Sequence, residues 1–290
     1  MPSDPFTPGR VVWMDGAFVP ASEARVSIFD RGLLFSDAVY EGIGILDGRM
    51  VDAAVHLARL RRSLGELGIP EPMDEAGFRA ALDRLIAENG VGEGFLYLHI
   101  TRGVAERDYV PPGEMTPTVF AFTQAHPVPL ADRPPVPVAL ASHPDLRWKR
   151  RDIKTSNLLG QVLAKRAAVQ AGSDEALMID EDGFVTEGGC TSFFVVQGRT
   201  IVARPVTDDI LNGVTRRAML AVAESEGYGI DRRRFTLAEA MKADEAFVTG
   251  ASSYIEPVAT IDGQRIGAGA PGPVTLALRR EYLALVRARS

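Results

Sequence analysis

The sequence predicts an α+β fold in two domains, a smaller N-terminal one and a larger C-terminal one. Three observations carry this expectation. Strand-like apolar runs come in adjacent pairs joined by tight turns instead of alternating singly with helices, as hairpin-connected sheets require. Helical periodicity is confined to separate blocks. The 290 residues are also interrupted by a proline-dense stretch, HPVPLADRPPVP at 126–137, whose ring-fixed backbone suits neither a central strand nor a helix interior. The boundary falls there, giving a first domain at 1–125, a linker at 126–137 and a second domain at 138–290.

The elements follow in order. VVWMDGAFVP reads as a hairpin turning at Asp15-Gly16, and a second pair joins Val39 and Ile43–Leu46 to Met50-Val51 through Asp47-Gly48. Residues 54–67 place Leu57, Leu60, Leu64 and Leu67 at helical spacing before Gly68, and residues 75–88 repeat the pattern with Phe78, Leu82, Leu85 and Ile86. FLYLHITRG and TVFAFTQ are strands flanking a long polar loop, 103–116. In the second half VPVALAS is a strand, and residues 157–171 form a helix capped by Thr155 or Ser156 and closed by Gly172. EALMI, FVTEG, SFFVVQ and RTIVAR are strands with turns at Asp182-Gly183 and Gln197-Gly198. A helix from Val214 to about Glu226, a short one at 236–243, strand EAFVTG, hairpin TIDGQRIG and a helix from about Pro273 complete the chain.

Composition narrows the function. A net charge of −6 supplies no electrostatic reason for nucleic acid or an anionic membrane as partner. No apolar run is long enough to span a bilayer and MPSDPFTPGR lacks a signal peptide's apolar centre, so a cytoplasmic protein is expected. The single cysteine, Cys190, forbids an intrachain disulfide, and the four scattered histidines offer no metal motif, so no metal is expected. Of 32 basic residues only Lys149, Lys154, Lys165 and Lys242 are lysines, so chemistry that needs an amine has four candidates.

Three local features could carry chemistry. Lys154, in RRDIKTSNLL, stands among arginines between a strand and a helix, where a partly desolvated amine becomes a nucleophile toward carbonyls; the competing reading is a helix-start lysine in a salt bridge. In ILNGVTRR the Asn212-Gly213 turn opens a helix at Val214-Thr215, either an anion cup or a simple cap. Glu187 ends an apolar strand before Gly188-Gly189, where it could pair with a positive heteroatom or be solvated. An amine, an anion cup and a carboxylate are together what pyridoxal 5′-phosphate requires.

With these residues in place, the sequence resembles the fold-type IV pyridoxal-phosphate aminotransferases, most closely the D-amino-acid aminotransferases and next the branched-chain ones. RVSIFDRGLLFSDAVYEGI, HLARL, ITRG, DIKTSNLL, VTEGGCTS, ILNGVTR and DEAFVTGASSYIEPV follow in family order from about Val11 to Val286. The resemblance implies that Lys154 bonds the cofactor aldehyde and shuttles the proton, and that Glu187 holds the ring nitrogen protonated. Arg59, Val214 and Thr215 would bind the phosphate, joined by Gly250 and Ala251, and Leu211 would pack on the ring. Tyr40, Arg107 and Tyr109 match a carboxylate trap, with Ser252 also lining the substrate site. Tyr109 stands where histidine is usual. Arg107 would reach the other subunit's site, which implies a homodimer with active sites near the interface.

The implied reaction moves an amino group between D-amino acids and 2-oxo acids such as pyruvate or 2-oxoglutarate. Branched-chain L-amino-acid or R-amine transamination, aminodeoxychorismate lyase activity and non-catalytic cofactor binding are the alternatives. The chain departs from the family in two places: Glu187-Gly188-Gly189-Cys190-Thr191-Ser192 loses an asparagine, and Gly250-Ala251-Ser252 lacks the threonine that commonly bonds the phosphate.

Overall fold

The computed structural model describes residue 5, residues 7–126 and residues 131–289. Residues 127–130 of the proline-rich linker lie outside the described residues. Two compact units emerge. The first comprises Met1–Pro129 and Ile153–Ser156, the second Leu130–Asp152 and Asn157–Arg289. The segment 153–156, assigned from sequence to the second domain, is therefore built into the first unit.

In the first unit, β1 (Val11–Met14) and β2 (Ala17–Pro20) form the Asp15-Gly16 hairpin, followed by α1 (Arg31–Phe35), β3 (Ala38–Leu46), β4 (Arg49–Met50), α2 (Ala53–Leu67), α3 (Glu75–Asn89), β5 (Gly94–Thr101) and β6 (Val119–Ala125). The six strands form one antiparallel sheet in the order β2-β1-β6-β5-β3-β4. Alternation along β3 decides the two faces. Val39, Glu41, Ile43 and Ile45 are buried on the side that α2 covers through Leu57, Leu60 and Leu64. Trp13 packs edge-on against Phe78 of α3, with ring centroids 6.3 Å apart. The other face carries Tyr40 opposite His99, and Gly42 opposite Tyr97. A Cβ on Gly42 would stand 2.6 Å from the Phe95 ring, so only glycine lets the aromatic lie flat there.

The second unit contains β7 (Val138–Pro144), α4 (Leu159–Gln170), β8 (Glu175–Ile179), β9 (Val185–Gly188), β10 (Ser192–Gln197), β11 (Thr200–Ala203), α5 (Val214–Ser225), β12 (Gly229–Arg232), α6 (Leu237–Ala240), β13 (Glu245–Gly250), β14 (Tyr254–Ile261), β15 (Gln264–Arg265) and α7 (Pro273–Arg289). Its nine strands form a mixed sheet, β12-β11-β10-β13-β14-β7-β8-β9 with β15 beside β14. Hairpins alone do not account for it, because β11/β12, β14/β7 and β7/β8 pair in parallel. Phe193, Val195, Phe235, Val248 and Val258 share one core. On the opposite face Phe194 and Phe247 stack with centroids 5.0 Å apart.

The expected cap of the 157–171 helix needs correction. The α4 helix starts at Leu159 with Leu158 as N-cap and no side-chain cap bond. Thr155 instead bridges Val39, and the Ser156 N–H donates to the Ala38 carbonyl at 3.2 Å, because strand pairing with β3 claims both residues.

Candidate active site

Backbone pairing fixes Lys154. Its carbonyl accepts from the Tyr40 N–H at 3.0 Å and its N–H donates to Ser63 Oγ at 3.3 Å, so the residue lies along the start of β3. Its ammonium sits 4.1 Å from the centroid of the Tyr40 ring, a cation–π contact. Among the described residues it has no carboxylate partner, so the salt-bridged reading of this lysine is not what the structure shows.

Beneath it lies a buried charge cluster that sequence reasoning had not assigned, although Glu41 and His56 stand in the quoted VYEGI and HLARL. Arg59 grips Glu41 through Nε at 2.8 Å and Nη2 at 2.7 Å, and His56 Nδ1 meets Glu41 Oε2 at 2.7 Å. Burial opposes ionisation of Glu41, but the charge and hydrogen bonds of Arg59, joined by His56, outweigh it and hold the carboxyl down at about 2. Burial also lowers His56, against the pull of Glu41 and with the charges of Arg59 and Lys154 adding to it. The cluster thus fixes Arg59 in one orientation.

The aromatic face continues from Tyr40. Tyr97 stacks on it at 5.2 Å, and its hydroxyl lies 2.9 Å from His99 Nδ1, while Phe120 stacks on His99 at 4.8 Å. Burial raises the Tyr97 phenol, with Tyr40 adding to it, and burial lowers His99 to about 4 despite the charge of Asp30. Because the folded His99 value lies below its ordinary 6.5, the folded chain binds fewer protons than the unfolded one between those limits. That stability is complete above about pH 6.5 and is lost as the pH falls toward 4, up to roughly 3 kcal/mol. In urea titrations across this window His99→Gln is expected to flatten the pH slope; an unchanged slope would refute the assignment.

Arg107 and Tyr109 lie against Phe35 of α1. The Arg107 guanidinium lies 5.2 Å from the Phe35 ring and 5.5 Å from Tyr109, whose own ring is 5.4 Å from Phe35. Arg31 anchors the loop by donating to the carbonyls of Asp108 at 2.6 Å and Tyr109 at 3.1 Å. These contacts do not bring the pair onto the Tyr40 face.

In the second unit, the four buried residues of β9 deliver Glu187. Glu187 Oε1 accepts from Arg147 Nη1 and from the Leu211 N–H at 3.3 Å, which brings Leu211 to the carboxylate. Arg147 also forks onto Asp145 through Nε at 2.9 Å and Nη2 at 2.7 Å, and Thr186 donates to Asp145 at 2.7 Å. Burial resists the charge on Arg147, yet Glu187 and Asp145 push its value above the ordinary one. Arg151 also reaches Asp145 at 3.5 Å, so Asp145 draws on two guanidinium groups while Glu187 shares Arg147 with it. Neither Arg147 nor Asp145 was read from sequence, where Arg147 is one arginine in the run DLRWKRRD.

Val214 and Thr215 begin α5, are buried, and follow Gly213, an N-cap without a side-chain cap bond. The helix therefore starts with N–H groups that no side chain caps, and Arg216 adds a buried cation in its first turn. Gly250 ends β13 and passes into Ala251 and Ser252 in the turn before β14. In this unit Thr191 Oγ1 and Thr249 Oγ1 are buried without a hydrogen-bond partner among the described residues. Glycines stand at 188, 213 and 250, where a Cβ would come within 2.1, 3.0 and 2.8 Å of Thr191, Ser192 and Ser253 oxygens. An uncapped helix start, unsatisfied hydroxyls and glycine-lined backbone fit a phosphorylated ligand.

The first unit carries a lysine amine on an aromatic face, and the second carries a carboxylate paired with Arg147 and a helix start that no side chain caps. Residues 38–261 match the amino-transferase class IV family, and the chain belongs to it, working with pyridoxal 5′-phosphate as the enzymes of that family do. It is 39% identical over 264 residues to the D-alanine aminotransferase of Bacillus licheniformis, covering 91% of this chain and 93% of that protein. The D-alanine aminotransferase of Staphylococcus haemolyticus is 34% identical over 280 residues, covering 96% and 99%. The branched-chain amino acid aminotransferase of T.th., solved with pyridoxamine 5′-phosphate, superposes with a TM-score of 0.90 at 29% identity, covering 97% and 95%.

Proposed function

We propose that this chain transfers an amino group between a D-amino acid and a 2-oxo acid in two half-reactions, as a cytoplasmic homodimer. The observation that carries the chemistry is Lys154: backbone pinned to β3, ammonium on the Tyr40 ring, no carboxylate partner among the described residues. The D-donor rests on the D-alanine aminotransferases at 39% and 34% identity over nearly the whole chain.

When bound, pyridoxal 5′-phosphate supplies the aldehyde that receives the amino group and the ring that draws electrons from the reacting carbon. Lys154 Nζ would hold the aldehyde and would move the proton at the substrate's Cα as general base and acid. Glu187, paired with Arg147, would hold a proton at the ring nitrogen, and Leu211, whose N–H donates to Glu187, would pack on the ring. Arg59, oriented by Glu41, would bind the phosphate, as would Thr215 and the backbone N–H groups of Val214, Gly250 and Ala251. Tyr40 orients the substrate carboxylate with Arg107 and Tyr109, and Ser252 adds a hydroxyl at the substrate. Arg107 and Tyr109 would do so from the partner subunit.

Self-association is supported by large exposed apolar side chains: Leu159, Val162 and Leu163 form an i, i+3, i+4 stripe on α4, and Ile28, Leu33 and Val110 stand exposed in the first unit. No helix among the described residues is long and apolar enough to cross a membrane.

The second reading is the same chemistry on L-branched-chain donors, favoured by the fold match to the branched-chain enzyme; Gly44 stands where the resemblance places an arginine in those enzymes. With pyruvate or 2-oxoglutarate as acceptor, D-alanine is expected to outpace L-leucine and an R-amine by at least about a hundredfold in kcat/KM, on the order of 3 kcal/mol of discrimination. Faster turnover of L-leucine would overturn the D-specific reading.

A further inference from the structure

The phosphate cup of this chain lacks the hydroxyl that the family commonly places at position 251, where Ala251 stands. Two other hydroxyls in the same unit are buried and unsatisfied: Thr191 Oγ1 and Thr249 Oγ1 have no hydrogen-bond partner among the described residues. Such groups are destabilising and few in native folds, so their placement has to be accounted for.

Thr249 is 3% exposed and pairs directly with Ser192 across β13 and β10. The two side chains therefore share a face. Ser192 Oγ lies 3.0 Å from where a Cβ on Gly213 would sit, and Gly213 is the N-cap that opens α5 without a side-chain bond. Thr249 thus stands on the face of the sheet that meets the uncapped helix start. Thr191 is lodged between two glycines. A Cβ on Gly188 would come 2.1 Å from its Oγ1, and one on Gly250 would touch its Cγ2 at 3.5 Å. Alanine at 188 would expel the threonine, and Gly250 sets it against the turn that leads into Ala251.

We propose that Thr191 and Thr249 donate hydroxyl hydrogen bonds to the cofactor phosphate and replace the bond absent at Ala251. The assignment rests on the cofactor reading given above. It turns the two departures from the family pattern, Gly189–Ser192 and Gly250–Ser252, into one compensated change: the hydroxyl lost after β13 is restored from Thr249 within that strand and from Thr191 in the turn before the neighbouring β10.

The test titrates the apo form of the full chain with pyridoxal 5′-phosphate and, separately, with pyridoxal, which lacks the phosphate, following absorbance of the bound aldehyde. Thr191→Val with Thr249→Val keeps shape and removes both hydroxyls. This double variant is expected to bind pyridoxal 5′-phosphate at least about tenfold more weakly. Its affinity for pyridoxal and the melting temperature of the apo protein are expected to match the parent, since only unpaired hydroxyls are lost. Serine at both positions is expected to restore binding. Equal loss for both aldehydes, no loss for either, or a lowered apo melting temperature would overturn the assignment while leaving the cofactor reading intact. Absence of a bound-aldehyde band in the parent protein with either compound would overturn both.

Discussion

Replacing Lys154 with alanine is expected to lower kcat by at least about a thousandfold and to remove the borohydride-sensitive absorbance of the bound cofactor. Both losses follow from one amine. The residue's backbone is secured by Tyr40 and Ser63 whatever its side chain, so the variant keeps its pairing with β3. The ammonium makes no ion pair among the described residues, so its removal strands no buried charge. The loss therefore reads out as chemistry and not as unfolding. Steady-state assay with D-alanine and 2-oxoglutarate, beside an unchanged melting temperature of the apo protein, checks it; retained turnover would dismiss the mechanism.

The second large effect concerns Glu187 and its support. Glu187→Gln removes the carboxylate proposed to hold the ring nitrogen protonated, and kcat is expected to fall by about a hundredfold to ten-thousandfold, the span for losing a positioned acid–base partner. Arg147→Met separates stability from catalysis. It leaves Asp145 and Glu187 buried without the guanidinium that both grip, Arg147 itself being 5% exposed at its side chain. Breaking a buried ionic relay by removing one member costs about 3–5 kcal/mol. Chemical denaturation should show that loss in Arg147→Met and a smaller one in Glu187→Gln, which keeps hydrogen-bonding capacity toward Arg147. Equal stability of Arg147→Met and the parent would mean the relay carries no energy.

How far the sequence foretells the molecule can be judged from particular residues. Elements whose cause is local are legible: Asp15-Gly16 turns a hairpin because a tight two-residue turn needs positive φ, and both residues have it. The α2 helix ends at Gly68, also at positive φ, for the same local reason. Long-range pairing is not legible. The strand β12 is four residues with no alternation strong enough to mark it, and it exists because β11 offers a parallel edge. Lys154 and its neighbours read as a helix approach, yet they join β3 of the first unit through Thr155 and Val39, far apart in sequence.

The candidate site divides along the same line. Lys154, Glu187 and the start of α5 are visible as residue types at turns and strand ends. Arg147 is hidden among other arginines, and only the fold reveals that its fork spans Asp145 and Glu187. Glu41 and His56 are hidden differently, because a carboxylate on the buried face of β3 and an imidazole on α2 contradict the apolar pattern around them and are held by each other and by Arg59.

The most direct test of the central claim is peptide mapping by mass spectrometry after borohydride reduction of the holoprotein. The pyridoxyl mass is expected on the peptide containing Lys154 and on no other lysine. Its recovery on Lys149, Lys165 or Lys242, or on no lysine at all, would contradict the claim.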